Sequence, residues 1–290
     1  MTTTHTLESA EVDLVYDVHG PLPTADGRRP LLMVGQPMDA GGFGTLASHF
    51  ADRTVVTYDP RGLGRSVRKD GRIDHRPQDQ AADLHRLIAA LGVGPVDVFA
   101  SSGGAVTALE LVTQHPEDVT ILVAHEPPMN TVLPDAEAAD RARQAMFDAY
   151  MVGGSGTGMA QFIAMTSWRG EFTEDFFAQG PADPAVFGMS SEDDGLRDDP
   201  LLSDRSWAIT DYALNVDALR AASTRIIVAV GIETGDTYTG RTAHAVARLL
   251  EQEPTVFPSH HGGFLGGEHG YAGEPEAFAL KLREILDVDR

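Results

Sequence analysis

Short apolar runs with turn residues behind them alternate with amphipathic helical stretches, and this alternation restricts the fold more than any other feature of the chain. "LLMVG" (31–35), "VVTYD" (55–59), "VDVFA" (96–100), "VTILVAH" (119–125) and "RIIVAVG" (225–231) read as strands. "EVDLVYDV" (11–18) alternates as a half-buried strand does. Between them lies "QDQAADLHRLIAALG" (78–92), where Leu84, Leu87, Ile88 and Leu91 share one helical face and Gly92 stops the helix. "GAVTALELVTQH" is a second helix, ended by Pro116; "RTAHAVARLLEQ", the strand "TVFPS" and the helix "PEAFALKLREIL" close the sequence. Strand, helix, strand in repetition implies parallel pairing with helices on both faces.

The pattern lapses between residues 131 and 220. That stretch is helical in places, broken by Gly and Pro, and rich in large apolar side chains such as Met146, Phe162, Met165, Trp168 and Trp207. It leaves the chain between two strands and returns to the same sheet, which suits an inserted lid better than a free-standing domain. With 290 residues, the chain divides into a core part at 1–130, a helical cap at 131–220 and a second core part at 221–290. The cap's apolar side chains are read first as its own core, with some lining an apolar pocket.

One stretch carries chemistry. In "VFASSGGAV" (98–106) two serines sit between a strand and a helix. A nucleophile on such an elbow needs small residues two before and two after it, because the backbone is strained and neighbours crowd it. Around Ser102 those positions are Ala100 and Gly104; around Ser101 one of them would be the bulky Phe99. Ser102 is therefore the candidate. A serine hydroxyl needs a base, and "VFPSHHGGFLGG" after the last strand can deliver a histidine on a glycine-rich loop.

These residues resemble the α/β-hydrolase superfamily over nearly the full length of the chain. The order nucleophile, lid, histidine matches, and "YDPRGLGRS" (58–66) is similar to the family's D-x-R-G-x-G-x-S turn. The resemblance implies an α/β-hydrolase fold: a mostly parallel sheet, helices on both faces and an inserted helical cap. It selects His261 over His260 as base, since the family's histidine lies about three residues beyond a proline. The amide of Gly103, at the helix N-terminus, is one expected oxyanion donor. "GQPMDAGG" looks like the H-G-x-P loop of haloalkane dehalogenases and epoxide hydrolases with Val34 replacing the histidine, which implies the Gln36 amide as the second donor. For the acid, the family's usual G-x-x-D position reads Gly231-Ile-Glu-Thr here, with Glu233 and Asp236 off register. The other position, at the end of the strand after the nucleophile, holds Glu126 in "VAHEPP", 24 residues beyond Ser102. Glu126 is preferred, with Asp236 and Glu233 left open. Asp59 and Arg61 of the "DPRG" turn are read as structural.

Dehalogenases and epoxide hydrolases use an aspartate nucleophile; a serine implies an acyl-enzyme and hydrolysis of an ester, lactone or thioester of an apolar small molecule. Hydrolytic C–C cleavage, cofactor-free haloperoxidase or perhydrolase activity, and plain small-ligand binding on the same scaffold are the alternatives. No cofactor is implied: Gly41-Gly42-Phe43-Gly44 lacks dinucleotide-binding spacing, and "HHGGFLGGEH" lacks the helix a zinc motif needs. The other histidines, among them His75, His85, His115 and His269, show no metal-ligand spacing. A net charge of −21 argues against nucleic acid and anionic membranes as partners. With no cysteine, no signal-like start and no apolar run long enough to span a bilayer, a cytoplasmic protein is expected; a homodimer is left open.

Overall fold

The computed structural model describes residues 1–270 and 272–287, without the side chain of His269. Among these residues nine strands build one sheet: β1 (Thr2–Glu8), β2 (Val12–His19), β3 (Leu31–Val34), β4 (Val55–Tyr58), β5 (Val67–Arg68), β6 (Val96–Ser101), β7 (Val119–His125), β8 (Arg225–Gly231) and β9 (Thr255–Phe257). The order is β1-β2-β4-β3-β6-β7-β8-β9, with β5 on β2. From β3 onward the pairs β3–β4, β3–β6, β6–β7, β7–β8 and β8–β9 are parallel, and β1 and β2 add an antiparallel edge.

The period-two alternation of the central strands sorts their side chains between two cores. Leu32, Val34, Val98, Ala100, Leu122, Ala124, Val228 and Val230 face one way. There they meet α2 (Pro77–Leu91), α3 (Gly103–Gln114) and α8 (Tyr238–Leu249). Leu31, Met33, Phe99, Ile121, Val123, Ile227 and Ala229 face the other, against α1 (Gly44–Ser48) and α9 (Pro275–Leu286). The parallel sheet is thus covered on both faces, as expected.

Between β7 and β8 the chain forms α4 (Ala136–Ser167), α5 (Glu174–Phe177), α6 (Trp207–Thr210) and α7 (Val216–Ala221). Gly154, at φ 75°, breaks α4. Aromatic and methionine side chains of this stretch make two small cores, one around Met165, Phe172 and Phe176 that Tyr238 of α8 joins, the other around Met146, Tyr150 and Leu202.

β1 was not foreseen. Its Thr-rich sequence is exposed along almost its whole length and earns strand form only by pairing with β2. The chain passes from β3 to β4 on one side and then to β6 on the other. That reversal opens a crevice at the carboxyl ends of β3 and β6, where open α/β sheets bind ligands.

Candidate active site

β6 ends at Ser101, and Ser102 follows it on the turn into α3. Ser101 is buried, with Oγ 3.2 Å from His125 Nδ1. Ser102 leaves the strand at φ 57°, ψ −132°, on the turn into α3, and lines the crevice. Such a backbone is strained for a residue with a Cβ, and packing holds it: the Ser102 amide donates to the His125 carbonyl at 2.9 Å, and its carbonyl accepts from Ala105 N at 2.9 Å. The small-residue requirement is visible at Gly104. A Cβ there would lie 2.4 Å from Val34 O and 2.8 Å from Gly35 Cα.

One strand over, Glu126 directly follows β7, fully buried at φ 50°. Its Oε1 accepts from Gly231 N at 2.8 Å and Thr234 Oγ1 at 2.6 Å. Its Oε2 accepts from Thr239 Oγ1 at 2.7 Å and His261 Nδ1 at 2.5 Å. Burial raises the pKa of this carboxyl, but His125, His261 and the donated hydrogen bonds outweigh burial and hold it well below the usual carboxylate range. It is a buried carboxylate with its charge answered by donors on both oxygens. Asp236 instead pairs with Arg169 at 3.0 Å on the surface, 62% exposed, and Glu233 accepts from Ser259 Oγ at 3.5 Å. Of the three acids weighed from sequence, Glu126 is the one hydrogen-bonded to His261. His260 accepts from Gly262 N at 3.1 Å and lies 3.3 Å from the Ala272 carbonyl.

Ser102, Gly103, Gln36 and His261 line one cavity of about 510 Å³. Gln36 packs directly on Gly103, whose added Cβ would lie 2.8 Å from Gln36 O. The two amides named as oxyanion donors therefore belong to touching residues. Among the described residues no hydrogen bond joins Ser102 Oγ to the imidazole. Such contacts often tighten only when substrate binds. The wall is mixed: Met146, Phe162, Met165 and Leu201 supply apolar surface, while Asn130, Arg143 and several threonines supply polar groups. A second cavity, of about 660 Å³, lies apart from Ser102 and is bordered by Asp17, His19, Asp39, Asp59 and Arg65.

Asp59 accepts from Ala40 N at 3.0 Å and Arg65 N at 2.8 Å, and buried Arg61 grips Asp83 of α2 at 2.6 Å. Both hold the 58–66 turn in place, and Asp59 borders the second cavity.

Sequence reasoning passed over His125, which sits under the site with its ring stacked 5.9 Å from that of His261. Burial, with the charge of His261 adding to it, lowers its pKa to about 4 despite the opposing pull of Glu126. Its place at the last residue of a buried strand was the available signal. Thr234 stands where the family places an aspartate, and its hydroxyl binds the glutamate that holds the histidine. His85 and His115, which show no metal-ligand spacing in sequence, come together with Asp118, and the three offer ligand atoms within 4.8 Å of one another. They lie near the opposite end of β7 from Glu126, and the two rings stack at 3.7 Å.

The family model described as alpha/beta hydrolase fold matches residues 35–210. YraK of Bacillus subtilis (strain 168), named an uncharacterized hydrolase, is 30% identical over 290 residues, covering 98% of this chain and 96% of that protein. A thermophilic esterase from Thermogutta terrifontis superposes with a TM-score of 0.63 at 20% identity, covering 97% of this chain and 98% of its own. A structure from work on carboxylesterases of Nitrososphaera gargenis superposes with a TM-score of 0.62 at 18% identity, covering 99% and 100%. Among the described residues no helix is long and apolar enough to cross a membrane.

Proposed function

The chain belongs to the α/β-hydrolase family and is an enzyme of it; from that premise we propose that it cleaves an ester, lactone or thioester of a small molecule through an acyl-enzyme on Ser102. His261 takes the hydroxyl proton as Ser102 attacks the carbonyl carbon. Glu126 keeps the imidazole in the tautomer whose Nε2 is free to accept, and stabilises the imidazolium that forms. The amides of Gly103 and Gln36 receive the developing oxyanion, and His261 then protonates the leaving group. Water, activated by the same imidazole, attacks the acyl-enzyme and releases the acid. The helices at 131–220 act as the cap that closes over the bound substrate.

The observation that carries this reading is the 2.5 Å hydrogen bond from His261 Nδ1 to buried Glu126, made at the wall of the cavity that Ser102 also lines. Orientation of a base by a buried carboxylate, next to a hydroxyl on a strained elbow, is the arrangement nucleophilic catalysis needs. The test is a fluorophosphonate probe followed by peptide mapping. The expected result is one adduct, on Ser102, lost in Ser102→Ala; labelling elsewhere, or none on the folded protein, would refute it.

A further inference from the structure

His125 lies buried under the site, and the mechanism above gives it no part. It is the last residue of β7, and Phe99, Phe257, Phe264 and Phe278 box in its ring. A phenyl ring would fill that box with no polar atom to satisfy, so an imidazole there calls for a reason. Burial lowers its pKa to about 4, and at neutral pH the ring carries one N–H. Two contacts say which nitrogen holds it. Nδ1 lies 3.2 Å from Ser101 Oγ, and among the described residues that buried hydroxyl makes no other hydrogen bond. With no other acceptor in reach, the hydroxyl gives its proton to Nδ1. Nε2 has no hydrogen-bond partner and lies 3.8 Å from Glu126 Oε1. The carboxylate repels a lone pair aimed at it and attracts an N–H. Both contacts select the Nε2–H tautomer.

At 3.8 Å the N–H is too far to hydrogen-bond, so it acts through its charge. It sets partial positive charge beside one oxygen of the carboxylate whose other oxygen binds His261, and the two histidine rings stack 5.9 Å apart. Positive charge at that place opposes a proton on His261. We infer that His125 is a positioning residue for the Glu126–His261 pair: fixed by Ser101 as the Nε2–H tautomer, it keeps His261 unprotonated, ready to act as base, to a lower pH than Glu126 alone would allow. This rests on the acyl-enzyme reading above and deepens it. Glu126 and His261 are the titratable groups facing His125; Ser101 and the four phenyl rings cover its other sides. On the cavity side His261 shares its wall with His260, Glu233, Arg143 and Arg169, all of which a substitution at 125 retains.

Nitrogen-15 NMR of histidine-labelled protein tests this without any substrate. In the parent, the His125 ring should show a protonated Nε2 and a bare Nδ1. His125→Phe keeps the aromatic packing and deletes the N–H, so the pH at which His261 takes its proton should rise by roughly half a unit. His125→Gln fits the box less well but returns an amide N–H near the Nε2 position, and should bring that midpoint back toward the parent's. A role in packing alone predicts the opposite order, with the Gln variant the more disturbed. Where an ester is cleaved, the acid limb of kcat/KM should follow the same order as the NMR midpoints. An Nδ1–H tautomer in the parent, or a midpoint that His125→Phe leaves in place, overturns the inference. Should His125→Phe not fold, the parent's tautomer still decides, because Nδ1–H would turn a lone pair toward Glu126. The expected NMR results without hydrolysis of any ester would sink the hydrolase reading alone.

Discussion

Glu126 concentrates the site's electrostatics in one side chain. A carboxylate buried this deeply exists as an ion only because backbone, two threonines and an imidazole all donate to it. Glu126→Gln keeps the shape but places an amide where the charge was, and the imidazolium of the transition state loses its partner. Turnover should fall by roughly 10³–10⁴, with KM changing far less. Asp236→Asn, at an exposed pair with Arg169, should stay within about twofold, since surface pairs contribute little. Steady-state kinetics of the two variants decides between them: comparable losses in both would contradict the assignment. Ser102, Glu126 and the strand ends were legible as candidates from residue type and spacing. The sequence favours Glu126 among the acids but leaves Asp236 and Glu233 open, because Glu126 and Thr234 follow neighbouring strands that the chain separates by the whole helical segment.

At the scale of elements, the elbow depends on how closely α3 approaches β3. Gly104 is where that approach is tightest, with Val34 backbone atoms inside the radius of any added methyl. Gly104→Ala must push the helix off the strand and should cost about 1–3 kcal/mol, as overpacking of a well-filled interior does. It should also weaken fluorophosphonate labelling, because Ser102 is the residue before the displaced helix. A thermal melt matching the parent, with labelling intact, would show that the elbow tolerates the methyl. The helices and central strands were readable because their periodicity is local. β1 was not: an exposed Thr-rich strand has no burial pattern, and only the β2 edge selects it. The Gly-Gly-Ser-Gly stretch in α4 is legible as a break for the same local reason, and Gly154 interrupts the helix there.

For the whole molecule, two buried neutral histidines link folding to pH. Burial, aided for His75 by the charges of Arg68 and Arg205, lowers its pKa to about 4. His125, fully enclosed, is lowered to the same range. In the unfolded chain each regains its ordinary value of 6.5. Between about 6.5 and 4 the unfolded state therefore binds more protons, and stability falls as pH falls, approaching about 1.4 kcal/mol per pH unit for each histidine. Glu126, held low when folded, adds to the loss once pH drops below its ordinary value of 4.5. Melting temperature should be nearly flat just above 6.5 and decline steadily below it. His75→Phe should shallow that decline; an unchanged slope would remove His75 from the account.

Sequence alone determined what local physics can write into a chain: which central segments are strands and which flanking ones helices, that the central strands lie parallel between two helical layers, and that Ser102 can occupy a crowded turn. Each of these is set by neighbours a few positions away. Tertiary structure decided which acid holds His261, that His125 lies beneath it, and that Ser101 meets His125. Those pairings span from tens to more than a hundred residues, and only the packing of the sheet and the helices above it brings the groups within hydrogen-bonding or stacking distance.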